Sequence, residues 1–182
     1  MSENNHKNRR VGLLFITLEE STLHPKKVSP VLHLEQRPVP QEGEKVSWPG
    51  IAMVTVGSKI KENEEEATIL VREMCKKFQP MLAYHLIGIL IQNGMKQQIL
   101  FENSQMRIYY LVVSKQTMEH VYPQQKVRII TLTSMNILKL IEVEKEWKHQ
   151  PHNLKDKIPV FPEVKAAIMK AVNELKLQKN SL

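Results

Sequence analysis

The sequence predicts an α/β fold in which helices cover both faces of a mixed β-sheet. Three observations lead to this prediction: β-rich apolar segments open the chain, an amphipathic helical segment interrupts them, and further strands and helices follow. Strands on both sides of a helical segment fit one sheet, whose two faces bury their apolar side chains only when helices cover them. We therefore expect an α/β/α sandwich.

The first part of the chain contains two predicted strands and an extra apolar run. Residues 11–17, VGLLFIT, are uniformly apolar, which is typical of a buried strand. Residues 31–37, VLHLEQR, alternate apolar and polar side chains, as a half-buried strand does. Residues 18–30 contain charges and prolines and are predicted as a loop. Residues 51–57 are predicted as an extra or lengthened strand.

Residues 62–78 are predicted as one amphipathic helix, which Pro80 ends. The apolar residues that recur at helical spacing are Ala67, Leu70, Val71, Met74 and Phe78. Glutamates 64–66 lie at the start, and Lys76 and Lys77 lie at the end. This order of charges complements the helix dipole, so both lysines can be interpreted as solvent-facing charges of the last turn.

The rest of the chain is predicted to return to strands and then to end in a helix. Residues 82–91, LAYHLIGILI, are interpreted as a strand before a turn at Asn93-Gly94. The remaining predicted elements are strands at 98–101, 106–113 and 127–132, a short helix at 134–141, a loop at 142–158 and a last helix that begins at Pro162.

The composition predicts one globular domain. The 182 residues, of which 42% are hydrophobic and 25% charged, suit a single core. We place the domain at residues 10–177, between a disordered tail at 1–9 and a tail at 178–182. No apolar run is long enough to cross a bilayer, and the polar start does not resemble a secretory signal. Cys75 is the only cysteine, so no internal disulfide can form. We expect a cytoplasmic protein with no membrane partner.

The net charge of +7, from 26 basic and 19 acidic residues, allows a polyanionic partner such as a nucleotide or RNA. A merely basic surface explains the same charge equally well. Aromatic residues make up only 5% of the chain, which is low for a protein that stacks the bases of a single strand.

Residues 58–79 resemble a Nudix box. The family pattern is a Gly, five residues, a Glu, seven residues, Arg-Glu-apolar, one residue, Glu-Glu, one residue and a Gly. The residues that match it are Glu64, Arg72, Glu73 and Met74. The residues that depart from it are Ser58 and Gln79 at the glycine positions, and Lys76 and Lys77 in place of the paired glutamates.

The resemblance implies the Nudix α/β/α sandwich with a mixed sheet and predicts that its metal chemistry is lost. Nudix enzymes hydrolyse a nucleoside diphosphate linked to another group and hold magnesium on box glutamates. Carboxylates at i, i+3 and i+4 share one helix face and can share a metal. Here those positions hold Glu73, Lys76 and Lys77, and a protonated lysine cannot ligate a cation. We therefore expect no catalytic residues, no metal and no cofactor.

Three functions remain open. The first is a catalytically degenerate Nudix-fold protein that binds a nucleotide-like or RNA ligand, or a protein partner. Its candidate ligand-binding residues are Lys76, Lys77, Arg37 and Trp48. The second is an active but atypical hydrolase of nucleoside-diphosphate-linked substrates, with magnesium on Glu73. Its candidate carboxylates, partly outside the box, are Glu62, Glu64, Glu73 and Glu102. The third is a structural subunit of an assembly, and a homodimer is also possible.

Overall fold

The computed structural model describes residues 9–20, 28–39, 48–61, 63–121, 128–132, 137–143 and 157–177. The strands are β1 (Arg10–Glu20), β2 (Val28–Gln36), β3 (Ala52–Val54), β4 (Val56–Lys59), β5 (Ile99–Glu102), β6 (Met106–Val112), β7 (Arg128–Leu132), β8 (Leu140–Glu142) and β9 (Ile158–Val160). The helices are α1 (Glu66–Lys77), α2 (Pro80–Gln92), α3 (Lys115–Val121) and α4 (Pro162–Leu177), with 3-10 turns at Met95–Gln98 and Ile137–Lys139.

The strands of the described ranges form one mixed sheet around β1. Its order is β5-β6-β1-β2-β3-β9-β8, with β4 paired to β1 and β7 paired to β2. β1 runs parallel to β6 and antiparallel to β2 and β4. Along one edge, β1 pairs first with β4 and then with β2. β2 and β4 therefore diverge from each other beside β1. This separation helps to shape the cavity described below.

Alternate residues of β1 belong to two separate hydrophobic cores. Val11, Leu13 and Phe15 pack with α1, α2 and α3 on one face of the sheet. Leu14 and Ile16 pack with α4 on the other face. Alternation of side chains along a strand produces this division. The predicted α/β/α sandwich is therefore confirmed.

Helix α1 buries one apolar side against the sheet. Ile69, Leu70 and Met74 are fully buried, and the Phe78 ring meets the Phe15 ring edge to face at 6.0 Å. The predicted helix began too early: its first residue is Glu66, and Glu62 lies outside the described residues. The predicted stripe also missed Ile69.

The strand predicted at 82–91 is wrong, because this segment forms helix α2. Ala83, Leu86 and Leu90 are its buried residues, at spacings of three and four. The apolar run is continuous, so its pattern carries no period that separates a buried strand from a helix. Pro80 occupies the first turn of α2, where a proline is tolerated, and so opens this helix as well as ending α1.

Several smaller predictions also need correction. The short helix predicted at 134–141 is instead a 3-10 turn at Ile137–Lys139 followed by β8, while residues 133–136 lie outside the described ranges. Helix α3 and strand β9 were not predicted. The ends of β1 and β2 extend into the predicted loop at 18–30, and the apolar run at 51–57 divides into β3 and β4.

The termini are described only in part. Residues 1–8 and 178–182, predicted as tails, lie outside the described ranges. Arg9, the last residue of the predicted N-terminal tail, is described: its carbonyl accepts a hydrogen bond from the Ile60 N–H, and its side chain pairs with Glu102. Among the described residues, no helix is both long enough and apolar enough to span a bilayer.

Candidate functional site

A cavity of about 430 Å³ lies between the C-terminal half of α1 and the start of β1, the end of β2, and β3 and β4. The charged and aromatic side chains that line it are Arg10, Glu35, Arg37, Trp48, Lys59, Glu73, Lys76 and Lys77. The fold thus brings the four predicted ligand-binding residues to one place. Among the described residues, five cationic side chains face two carboxylates here, so this part of the cavity is positively charged.

Lys77 is anchored inside the cavity wall. Its ammonium group donates to the Glu35 carboxylate of β2 and, over 2.7 Å, to the Thr55 carbonyl between β3 and β4. Its side chain is 20% exposed, and burial lowers the pKa of Lys77 to about 8. An ammonium group has three N–H donors, so these two bonds leave one for another acceptor.

Lys76 and Glu73 form the outer edge of the same wall. The Lys76 side chain is 63% exposed and donates to Glu73 over 3.2 Å. Arg72 donates to the same Glu73 oxygen over 3.0 Å. Partial burial raises the pKa of Glu73, but the hydrogen bonds from Arg72 and Lys76 outweigh it and hold that pKa below its usual value.

Trp48 closes the opposite side in a strained conformation. Its φ of 53° lies in the left-handed region, which bulky residues rarely adopt. Its ring meets the Phe161 ring edge to face at 5.3 Å, and the Arg10 guanidinium lies over it at 4.9 Å. The segment that carries Trp48 is held beside the end of β2, because the Gly50 N–H donates to the carbonyl of Arg37, the residue after β2, over 3.1 Å. Trp48 and Arg10 therefore form one aromatic and cationic wall.

The described carboxylates of the alternative hydrolase, Glu64, Glu73 and Glu102, do not gather in this cavity. Glu64 is held by Arg72 at the start of α1 and does not line the cavity. Glu102 binds Arg9 and Arg107 at the end of β5, also outside the lining. Glu62 lies outside the described residues. Of the three that the structure describes, Glu73 alone reaches the cavity.

The described side chains do not fit a divalent metal ion. Each carboxylate of the cavity already accepts from protein cations: Glu35 from Lys77, and Glu73 from Arg72 and Lys76. Among the described residues, no three His, Cys, Asp or Glu side chains converge as a ligand set. A magnesium ion prefers several hard oxygen ligands, and here it would have to displace bound ammonium and guanidinium groups.

Three charged residues of the described cavity lining were not among the predicted ligand-binding residues. Arg10 comes from β1, Glu35 from β2 and Lys59 from β4. Arg10 and Lys59 are directly opposite in the β1–β4 register. The sequence contained one signal: basic residues occur at one end of each of these two strands. Only the antiparallel pairing brings the two ends together.

Comparison with known structures defines the class of fold. The chain superposes on a mutT/nudix family protein from Listeria innocua with a TM-score of 0.57, over 96% of this chain and 98% of that one, at 13% sequence identity. The sequence matches no protein-family model and no curated protein. The fold is therefore Nudix-like. An identity this low carries no activity across, so function must be argued from the cavity itself.

Proposed function

We propose that this is a Nudix-fold binding protein that holds a nucleotide-like anion in the cavity and does not hydrolyse it. The observation that carries the proposal is the position of Lys76 and Lys77. These lysines stand where the resembling box has its paired glutamates, and they line the same cavity as Arg37 and Trp48.

The charge of the cavity supports a phosphorylated ligand. Lys77 and Lys76 are paired with Glu35 and Glu73. Arg10, Arg37 and Lys59 then remain as positive charge that no carboxylate among the described lining residues balances. Guanidinium and ammonium groups bind phosphate oxygens through charge-assisted hydrogen bonds. A ligand with two or more negative charges would complete the balance.

The shape and the aromatic wall support a nucleotide over an RNA strand. A volume of about 430 Å³ lies in the usual range for small-molecule sites. Among the described residues of the lining, Trp48 is the one aromatic side chain, whereas single-strand binders stack successive bases on several. The planar Arg10 group above Trp48 offers a stacking surface for one base.

The pairing of the carboxylates supports binding without hydrolysis. A Nudix-type reaction needs glutamates that hold magnesium, which activates water and neutralises phosphate charge. Glu73 and Glu35 are instead neutralised by basic side chains of the protein. The alternative, an atypical hydrolase that uses Glu64, Glu73 and Glu102, would require these side chains to move together. We also propose a cytoplasmic location, because Cys75 is the chain's only cysteine and no internal disulfide can form.

The test is a thermal-shift screen of nucleoside mono-, di- and triphosphates, followed by titration of the best ligand at two salt concentrations. We expect saturable binding that weakens with salt and is lost in Arg37→Ala and in Trp48→Ala. Lys96→Ala is the matched control, because Lys96 is exposed but does not line the cavity. No binding across the panel, or binding that survives both cavity variants, would contradict the proposal.

A further inference from the structure

Arg10 and Lys59 form a cation pair in the wall of the cavity. The two residues lie directly opposite each other in the antiparallel β1–β4 pairing, so their side chains leave the same face of the sheet. Both line the cavity. Like charges that face each other across two strands repel and weaken the pairing of those strands. The stability of the fold therefore does not explain why two cations occupy these positions.

No carboxylate among the described residues neutralises the cation pair. None of the ion pairs between described residues involves Arg10 or Lys59. The neighbouring Arg9, by contrast, pairs with two glutamates. The Arg10 guanidinium lies instead over the Trp48 ring at 4.9 Å, and a ring above its plane leaves the N–H donors along its edge for an anion. The described residues thus leave the charge of this pair unbalanced.

The cation pair lies on the face of the sheet opposite to α1. Even-numbered residues of β1 face the core that packs with α4, and Arg10 shares their face. The position of Trp48 agrees with this side, since its ring meets Phe161, which packs against the same core. Lys76 and Lys77 reach the cavity from α1, which covers the other face. The cavity therefore receives cations from two sides, at the place where β2 and β4 diverge.

We propose that the cation pair is a second phosphate subsite, and that the ligand of the cavity carries two phosphate groups on separate oxygens of its sugar. This inference rests on the proposed nucleotide binding and adds the place of the second charge. One phosphate near Lys76 would leave Arg10 and Lys59 unbalanced. The two phosphates of a diphosphate share a bridging oxygen and meet cations from one side. A nucleoside 3′,5′-bisphosphate presents its phosphates at two ribose oxygens, which matches a cavity with cations on two sides.

The first experiment titrates the monophosphates, diphosphates and 3′,5′-bisphosphates of adenosine, guanosine, cytidine and uridine in EDTA. A diphosphate and a bisphosphate of one nucleoside differ only in where the second phosphate is attached. We expect the best bisphosphate to bind roughly tenfold more tightly than the matching monophosphate and diphosphate, because it gains a charge-assisted contact. A diphosphate or monophosphate that binds as tightly overturns the inference and leaves the proposed function intact. No binding by any of these nucleotides overturns both.

The second experiment assigns the second phosphate to the cation pair. Lys59 is exposed, and Lys59→Ala removes its repulsion from Arg10, so the melting temperature should stay equal or rise. We expect this variant to bind the bisphosphate about tenfold more weakly and the monophosphate less than about twofold more weakly. Lys61→Ala is the matched control, because Lys61 is an exposed lysine just beyond β4 that does not line the cavity. Equal losses for both nucleotides, or no loss for the bisphosphate, would overturn the inference.

Discussion

At the scale of the residue, two adjacent lysines have opposite environments. The sequence allowed both to be solvent-facing charges at a helix end, and this description fits only Lys76. Lys77 is held by the Glu35 carboxylate of β2 and by the Thr55 carbonyl between β3 and β4. Its ammonium group thus receives the kind of oxygen partners that a metal cation would take, and it fixes α1 against the sheet.

The difference between the two lysines predicts different effects on stability. Lys77→Met leaves the Glu35 carboxylate, 15% exposed, without its partner, and should lower the free energy of unfolding by roughly 1–3 kcal/mol. Lys76→Met removes an exposed ion pair and should change it by less than about 1 kcal/mol. Urea denaturation of both variants measures the difference. Equal effects would show that Lys77 contributes no more than a surface charge.

His33 predicts a pH dependence of stability. Burial lowers the pKa of His33 from 6.5 to about 4, and its ring nitrogen lies 2.9 Å from the Thr17 hydroxyl. Between these two pH values the unfolded chain binds a proton that the folded chain does not. Stability therefore falls as the pH drops from about 6.5 to 4.

The measurement compares melting temperatures of the wild type and His33→Gln across that pH range. Glutamine keeps a polar group near Thr17 but cannot titrate, so its melting temperature should fall less steeply with acid. Parallel curves for the two proteins would mean that His33 titrates alike in the folded and unfolded chains.

At the scale of the element, α1 and α2 differ in how strongly the sequence specifies them. The charges and apolar spacing of α1 define a helix, and the structure agrees apart from its start. Most residues of α2 are apolar and none is Asp, Glu, Lys or Arg. Neither the spacing of apolar residues nor a pattern of charges therefore indicates a helix in its sequence.

The packing of helix α1 against the core can be tested at Leu70. Leu70 is fully buried among other core residues. Leu70→Ala should therefore lower the free energy of unfolding by about 2–5 kcal/mol. Val71→Ala, at a half-buried neighbour on the same helix, is the control and should cost less. Thermal and urea denaturation measure both. A cost at Leu70 no larger than that at Val71 would contradict the packing of α1.

Only part of the candidate site could be predicted, because a local sequence pattern does not show which distant segments approach each other. Lys76, Lys77 and Glu73 share one helix, so their neighbourhood follows from helical spacing. Arg10, Glu35 and Lys59 belong to three strands, and their approach depends on sheet register. The pairing of Lys77 with Glu35 spans 42 positions, a separation that no local pattern encodes.

At the scale of the whole molecule, a Nudix-like sandwich carries a cavity whose negative groups are already neutralised. The core between α1 and the sheet fixes the helix that carries Glu73, Lys76 and Lys77. A positively charged site of this kind is suited to bind an anion without help from a metal ion.

This arrangement predicts no enzyme-level hydrolysis. Nucleoside triphosphates, dinucleoside polyphosphates and ADP-ribose, incubated with magnesium or manganese at neutral pH, should give no turnover near 1 per second, the low end of usual enzyme rates. The readout is product release by chromatography, with Glu73→Gln as the control. Turnover at that rate that disappears in Glu73→Gln would establish the atypical hydrolase instead.

The most direct test of the central claim is calorimetric titration of the best nucleotide ligand, once in EDTA and once in magnesium. We expect the ligand to bind in EDTA at least as tightly as in magnesium, because the cations of the cavity meet the phosphates directly. Arg37→Ala should weaken binding under both conditions, and Lys96→Ala under neither. Binding that appears only with magnesium would contradict the account, since a metal ion would then supply the charge here assigned to the protein.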